Sequence, residues 1–351
     1  MQRAYPTRGI RFLAATFTIG IITAVVGSQV AAADVFTDPV GFITLTVQGS
    51  NGIANARANS FQALGMTQVP TNRGAIASVA TNGVTDTSAT WADGDYANGL
   101  FFIEFLGGPN AGLLDDVSNA SATTHQVFTV HDNHLLLGAA TSYKIYPHWT
   151  IGTVFGPNDE AGIKKGSGST ADYVEIFNPL TQGFTTYYYS SGGSSGTGWR
   201  LTGTTDRTNT KLYLDQGFLT SRLEGTNILV KLVGAVKLGP TIIPIGQTNN
   251  FVANVYATSA MTLTNSNLLQ ADLTKSLTGG SGSGADYVEI FNPTTGGFTT
   301  YYWSTGGSSG TGWRITGTTD RGSTPIPLGQ SILIVRKAPR AAINWYVNAP
   351  Y

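Results

Sequence analysis

One stretch of this chain occurs twice, and no other feature limits its possible folds as strongly. Residues 171–207 read ADYVEIFNPLTQGFTTYYYSSGGSSGTGWRLTGTTDR, and residues 285–321 repeat them 114 positions later with 32 of 37 positions identical. The five differences are Leu180/Thr294, Gln182/Gly296, Tyr189/Trp303, Ser191/Thr305 and Leu201/Ile315. A fixed period means that one supersecondary unit is built twice, so the architecture must accommodate two copies. Within a copy, Ala171–Phe177 and Phe184–Tyr189 carry strand composition and are joined by a turn starting at Asn178-Pro179. The loop Ser190–Gly198 follows, and then a third strand at Trp199–Thr202. This predicts a three-stranded antiparallel meander. The same offset aligns Arg222 with Arg336, which extends the modules to 147–236 and 237–351. Val255-Tyr256 reads as the counterpart of Ile145-Tyr146.

Upstream, residues 34–146 read as an amino-terminal β unit enclosing a small barrel-like segment at 74–146. Phe42–Val47 is strand-like and Asn51-Gly52 marks a turn, while Ala54–Met66 has the Ala, Leu and Gln content of a short helix. Short apolar runs follow at Ala75–Val79, Gly99–Phe105, Leu113–Val117, Gln126–Val130 and Ser142–Ile145. They are separated by clusters of Gly, Pro, Asn and Asp, the spacing of a sandwich or barrel. The expected fold class is all-β, made of several small antiparallel β modules (sandwich or barrel) including a duplicated carboxy-terminal module.

Residues 1–33 read as a signal peptide. Arg3, Arg8 and Arg11 precede an apolar run from Phe12 to Val26, and Ala31-Ala32-Ala33 offers small residues for cleavage. Its removal takes away three arginines and no acid, turning a formal net charge of zero into −3. With 11% charged residues and no basic cluster, nucleic acid is not an expected partner. The chain has no cysteine, which excludes thiol chemistry and disulfide staples. Its 41% hydrophobic content must supply stability through core burial.

The small-barrel pattern FFIEFLGGPNAGLLDDVSN, a later VFTV strand and LLLGAATSYKIYP loosely resemble small barrels of phage tail and other secreted proteins. TDPVGFITLTV, YPHWTIGTVFG, TYYYSSGGSSGTGWR with TTDR, and the LVGAV run together resemble a family of secreted, β-rich proteins. Its members occur as paralogues in bacteria of the Planctomycetes–Verrucomicrobia type. The resemblance spans most of residues 34–351 and implies no particular activity.

Candidate chemistry is sparse. In Phe184–Tyr189, alternation places Phe184, Thr186 and Tyr188 on one face and Thr185, Tyr187 and Tyr189 on the other. Tyr187, Tyr189 and Trp199, with Tyr301, Trp303 and Trp313 in the second copy, form the candidate ligand-binding set. Flat aromatic rings with polar tips suit a sugar or a protein partner, although such a strand can equally be buried on both faces. The loops Gly192–Gly198 and Gly306–Gly312 lack the Lys and following helix of a phosphate-binding loop, so no nucleotide is expected. Asp172 and Glu175, like Asp286 and Glu289, are three apart on a strand and cannot form an acid pair by themselves. Glu175 is expected to meet Arg200 or another cross-strand partner as a structural pair, and Asp206 to close a turn. Asp93, Asp95 and Glu104 partly match a calcium loop, but Ala97 and a late glycine break it, leaving an Asp-rich turn. His131, His134 and His148 lack metalloprotease spacing. No metal or cofactor is expected. Ile343, Trp345, Val347, Ala349 and Tyr351 alternate like a membrane-barrel strand, but Pro350 interrupts them, so the last strand of a soluble β domain is expected.

The functional expectation is a secreted, non-enzymatic structural or adhesive protein of the cell surface or extracellular space, with periplasm as an alternative. Its partner would be a second copy of itself or an extracellular glycan bound on the Tyr/Trp strands. Membrane association is not expected once the leader is removed.

Overall fold

The computed structural model describes residues 38–50, 56–337 and 339–350. The leader, the residues before Asp38, the Asn51-Gly52 turn and the final Tyr351 lie outside them. Among the described residues the fold is all-β, and the α-helix Ile151–Phe155 is five residues long.

Each repeat copy forms a five-stranded antiparallel sheet with the same strand order. In module 1 the order is Thr197–Arg200, Gly183–Ser191, Tyr173–Asn178, Phe218–Arg222 and Ala58–Gln62. In module 2 it is Thr311–Arg314, Gly297–Thr305, Tyr287–Asn292, Ser331–Val335 and Asn249–Ala253. The first three strands are the predicted meander. Asn178 starts its turn by accepting the Leu180 amide through Oδ1 at 2.9 Å. At the turn's end Gln182 has φ +56° and its counterpart Gly296 has φ +67°, a left-handed conformation that glycine adopts at least cost. Each module adds a two-stranded ribbon: Val40–Val47 pairs with Ile228–Ala235 in module 1, and Thr241–Ile245 pairs with Ile343–Val347 in module 2.

This pairing corrects three expectations. Val40–Val47 and Ala58–Gln62 belong to module 1 and not to a separate unit ending at 146, because their hydrogen-bond partners lie near residues 218–235. Ala58–Gln62 is a strand where a helix was expected, since pairing along Phe218–Arg222 overrides local helix propensity. Phe61 corresponds to Phe251, so Val255-Tyr256 stands opposite Gly65-Met66 and not Ile145-Tyr146.

The barrel segment is therefore an insertion into module 1. Its seven strands run in the order Asn72–Ala75, Ser142–Pro147, Phe101–Phe105, Leu114–Ser121, Gln126–Thr129, Gly83–Thr85 and Ser78–Ala80. The two edge strands are consecutive in the chain, separated by Ile76-Ala77, so the sheet must curl until its edges meet. Ile76 N–H donates to Thr141 O at 2.9 Å on one side, and Ala77 N–H donates to Thr85 O at 2.7 Å on the other. Ile76, Val84, Trp91, Ile103, Phe105 and Val127 fill the interior. The insertion is pinned by Glu104 to Lys237, a fully buried ion pair, and by Asp38 to Arg73 and Lys144.

The two modules meet through six phenylalanines. Phe61 and Phe251 stack at 5.5 Å with planes 6° apart. Phe61 also packs on Phe291 and Phe298 of module 2, at 4.8 and 4.9 Å. Reciprocally, Phe251 packs on Phe177 and Phe184 of module 1, at 5.0 and 5.2 Å. The flanking backbone obeys the same approximate two-fold relation. Ala63 N–H donates to Gly329 O and Ala253 N–H to Asp215 O, both at 3.0 Å. A single hydrophobic core runs through both modules.

Phe61→Ala or Phe251→Ala alone should cost about 3–5 kcal/mol. The double variant should cost less than the sum because the two rings contact each other. Denaturant unfolding of the three variants measures the coupling, and strict additivity would contradict the stacked arrangement.

Candidate functional site

The aromatic set expected to bind ligand is largely inside the protein. Tyr189, Trp199, Tyr301 and Trp313 are 3%, 0%, 8% and 1% exposed, and Tyr187 and Trp303 are half-buried against the core. The alternation along Phe184–Tyr189 is as predicted, but the face carrying Tyr187 and Tyr189 points inward. Tyr189 meets Trp199 edge-on at 5.6 Å and Trp303 meets Trp313 at 5.9 Å. Trp199 Nε1 donates to Gly156 O at 2.9 Å, so its polar tip is also satisfied.

The other sequence candidates are structural. Glu175 does find a cross-strand partner, accepting from Thr186 Oγ1 at 3.1 Å, and it also accepts from Ser221 Oγ at 2.9 Å; it does not meet Arg200. Arg200 instead donates to the carbonyls of Ser195, Thr197 and Trp199, each at 2.7 Å, and to Asp206 at 3.3 Å. Arg314 closes the second Gly-Ser loop in the same way. Asp172 and Asp286 are buried and paired with Arg222 and Arg336, at 2.5 and 2.9 Å. Asp95 caps the Ala92 amide in its own turn and Asp93 accepts the Ala122 amide from a distant loop, while Glu104 is committed to Lys237. Among the described residues, no group of three or more His, Cys, Asp or Glu is arranged to hold a metal.

Two histidines lead elsewhere. His131 Nδ1 lies 2.9 Å from Asp115 Oδ1, and His148 Nε2 lies 2.9 Å from Asp116 Oδ1. These aspartates open the barrel strand Leu114–Ser121 and line a cavity of about 580 Å³. The barrel supplies its roof through Asp115, Asp116 and His131. Module 1 supplies Leu180, Tyr213 and Asp215, and module 2 supplies Ile242, Pro244 and Asn344. Lys211 forms an ion pair with Asp116, and Tyr213 Oη donates to the same carboxylate at 3.2 Å. The Tyr213 ring stands edge-on to His148 at 5.2 Å.

The carboxyls of this cavity are driven in opposite directions. Burial opposes the Asp116 charge, but the hydrogen bonds and charges of His148 and Lys211 outweigh it and hold its pKa at about 2. Burial pushes Asp215 up to about 6, and the nearby Asp116 charge adds to the rise. Burial also raises Asp115 despite the bonds from His131. Divergent carboxyls within one cavity mark it as a candidate site.

The two modules differ at this cavity. Module 2 has a matching cleft of about 170 Å³ lined by Thr44, Pro293, Leu328, Gly329 and Gln330. The first cavity has Pro244, Pro179, Leu214, Asp215 and Gln216 at those positions. No barrel covers the second cleft. Lys211, Tyr213 and Asp215 stand where the other copy carries Pro325, Pro327 and Gly329, and Leu180 stands where it carries Thr294. The cavity escaped sequence reading because its groups come from residues 102–148, 179–216 and 242–344. The internal differences between copies were the available signal.

The folded-state pKa of Asp215 lies above the ordinary carboxylate value, so ionising it costs stability as pH rises through about 6. Asp215→Asn should therefore melt higher than wild type at pH 7.5, with the gap closing toward pH 4. Asp116 has the opposite sign: its contribution is full above the ordinary carboxylate value and is lost as pH falls toward 2. Asp116→Asn should melt lower at pH 7.5. Thermal melts at both pH values check the pair, and equal shifts for the two variants would contradict this assignment.

No protein-family model, curated protein or solved structure matches the chain, so its functional reading rests on the cavity.

Proposed function

We propose that the chain is an exported adhesive protein of the cell surface or extracellular space that binds a glycan segment in the cavity beneath the inserted barrel. The cavity carries the reading. Its volume suits one or two sugar rings, and its carboxylates, Asn133, Gln216 and Asn344 offer the mixed donors and acceptors that hydroxyl groups require. Tyr213, Phe102 and His148 supply ring surface. At the wall Leu180 is 93% exposed, a cost in water that contact with a ligand would relieve. Export is supported by the basic, apolar leader pattern of residues 1–33. Among the described residues, no helix is long and apolar enough to cross a membrane.

Assembly of copies is the second reading, and one surface favours it. Val40, Phe42 and Val233 are exposed on the outward face of the module 1 ribbon. Their counterparts Ile242 and Tyr346 are covered by the barrel. Strand-edge addition is less favoured, because Arg200 and Arg314 occupy carbonyls beside the outer strands of both five-stranded sheets.

Calorimetry of the chain against a panel of extracellular polysaccharide fragments tests the proposal. One class should bind and raise the melting temperature. Leu180→Ala should weaken binding by roughly tenfold, the equivalent of about 1.4 kcal/mol, while Tyr187→Phe on the inward-facing strand should leave it unchanged. Failure of every fragment to bind, together with dimers in light scattering that Phe42→Asp dissolves, would favour assembly instead.

A further inference from the structure

Charge within the cavity is unevenly compensated. Asp116 is neutralised by Lys211 and further satisfied by His148 and Tyr213. Asp115 has only His131, through its ring and its backbone amide, both on Oδ1. Its Oδ2 has no hydrogen-bond partner, but the side chain has no accessible surface and sits on the strand face of Ile103 and Val117, toward the barrel core and away from the cavity. No side chain among the described residues donates to the Asp215 carboxyl. Module 2, with no roof over its cleft, has glycine at the Asp215 position. Asp215 thus lines the cavity half-buried and without a cation of its own. A carboxylate placed in a cavity without a protein partner is open to a cationic group of a ligand.

We propose that the cavity takes a ligand bearing a primary ammonium group, an amino sugar within a glycan, with Asp215 as its counter-ion. This rests on the glycan-binding reading and specifies its substrate class. The ammonium supplies the missing cation and can donate three hydrogen bonds, while the ring hydroxyls meet Asn133, Gln216 and Asn344. Acidic glycans are disfavoured by repulsion from Asp215, and neutral ones leave its carboxylate without a counter-ion.

The test is calorimetry of the full chain at pH 6.5 with glucosamine oligosaccharides and, separately, with their fully N-acetylated counterparts. The free-amine form should bind at least tenfold tighter, and added salt should reduce that advantage. Asp215→Asn, verified as folded by its melting curve, should erase the preference, whereas Tyr187→Phe on the inward-facing strand should keep it. Equal affinity for the two forms, or an amine preference that survives in Asp215→Asn, would overturn this inference and leave glycan binding standing. Binding of neither form, nor of any fragment in the wider panel, would overturn both.

Discussion

The stack of Phe61 on Phe251 is the contact on which the rest of the arrangement depends. Each ring sits on an edge strand of its own module and reaches into the aromatic pair of the other. Neither module can therefore bury its edge alone. Together they form one continuous core in a chain without cysteine, at the scale where apolar burial suffices for stability. The reciprocal backbone bonds beside the rings fix how the two sheets meet, and so fix the positions of the two equivalent clefts. The outer edges are closed separately, by Arg200 and Arg314 folding back onto their own loops.

A frame with approximate two-fold symmetry offers every surface twice, and the barrel breaks that equivalence. It enters module 1 between Met66 and Trp149 but lies over the module 2 ribbon, where Ile242 joins its core. Only one cleft gains a roof. Under that roof the frame carries Lys211, Tyr213 and Asp215; at the open cleft it carries Pro325, Pro327 and Gly329. Positions beneath the barrel are among those that diverge, whereas the hairpin strands forming the core stay nearly identical.

The sequence announced the repeat, the all-β class and most strands of the barrel, because these depend on local alternation and turn residues. It could not tell which face of Phe184–Tyr189 is buried. Aromatic residues occupy both faces, and Trp199, on the neighbouring strand, decides the matter by taking the inward side. The role of Val40–Val47 was hidden for a related reason. Its partner lies near residue 230, and a two-stranded ribbon closed across such a distance leaves no local trace. The cavity was the least legible part. Asp116 meets Lys211 only because the insertion folds back across the frame, and neither residue stands out in its own segment.

Two kinds of buried charge coexist here, and comparing them separates scaffold from site. Glu104 with Lys237, Asp172 with Arg222 and Asp286 with Arg336 are each matched by a full opposite charge. Such pairs fix how segments dock, and their desolvation is largely offset within the fold. Asp115 and Asp215 are different: burial raises both, Asp115 has only His131 as a partner, and among the described residues no side chain donates to Asp215. A scaffold gains nothing from such groups, and the second copy of the frame holds together with glycine in place of Asp215. Carboxyls kept at a cost in stability beneath the inserted barrel mark that cleft as the candidate site of the fold.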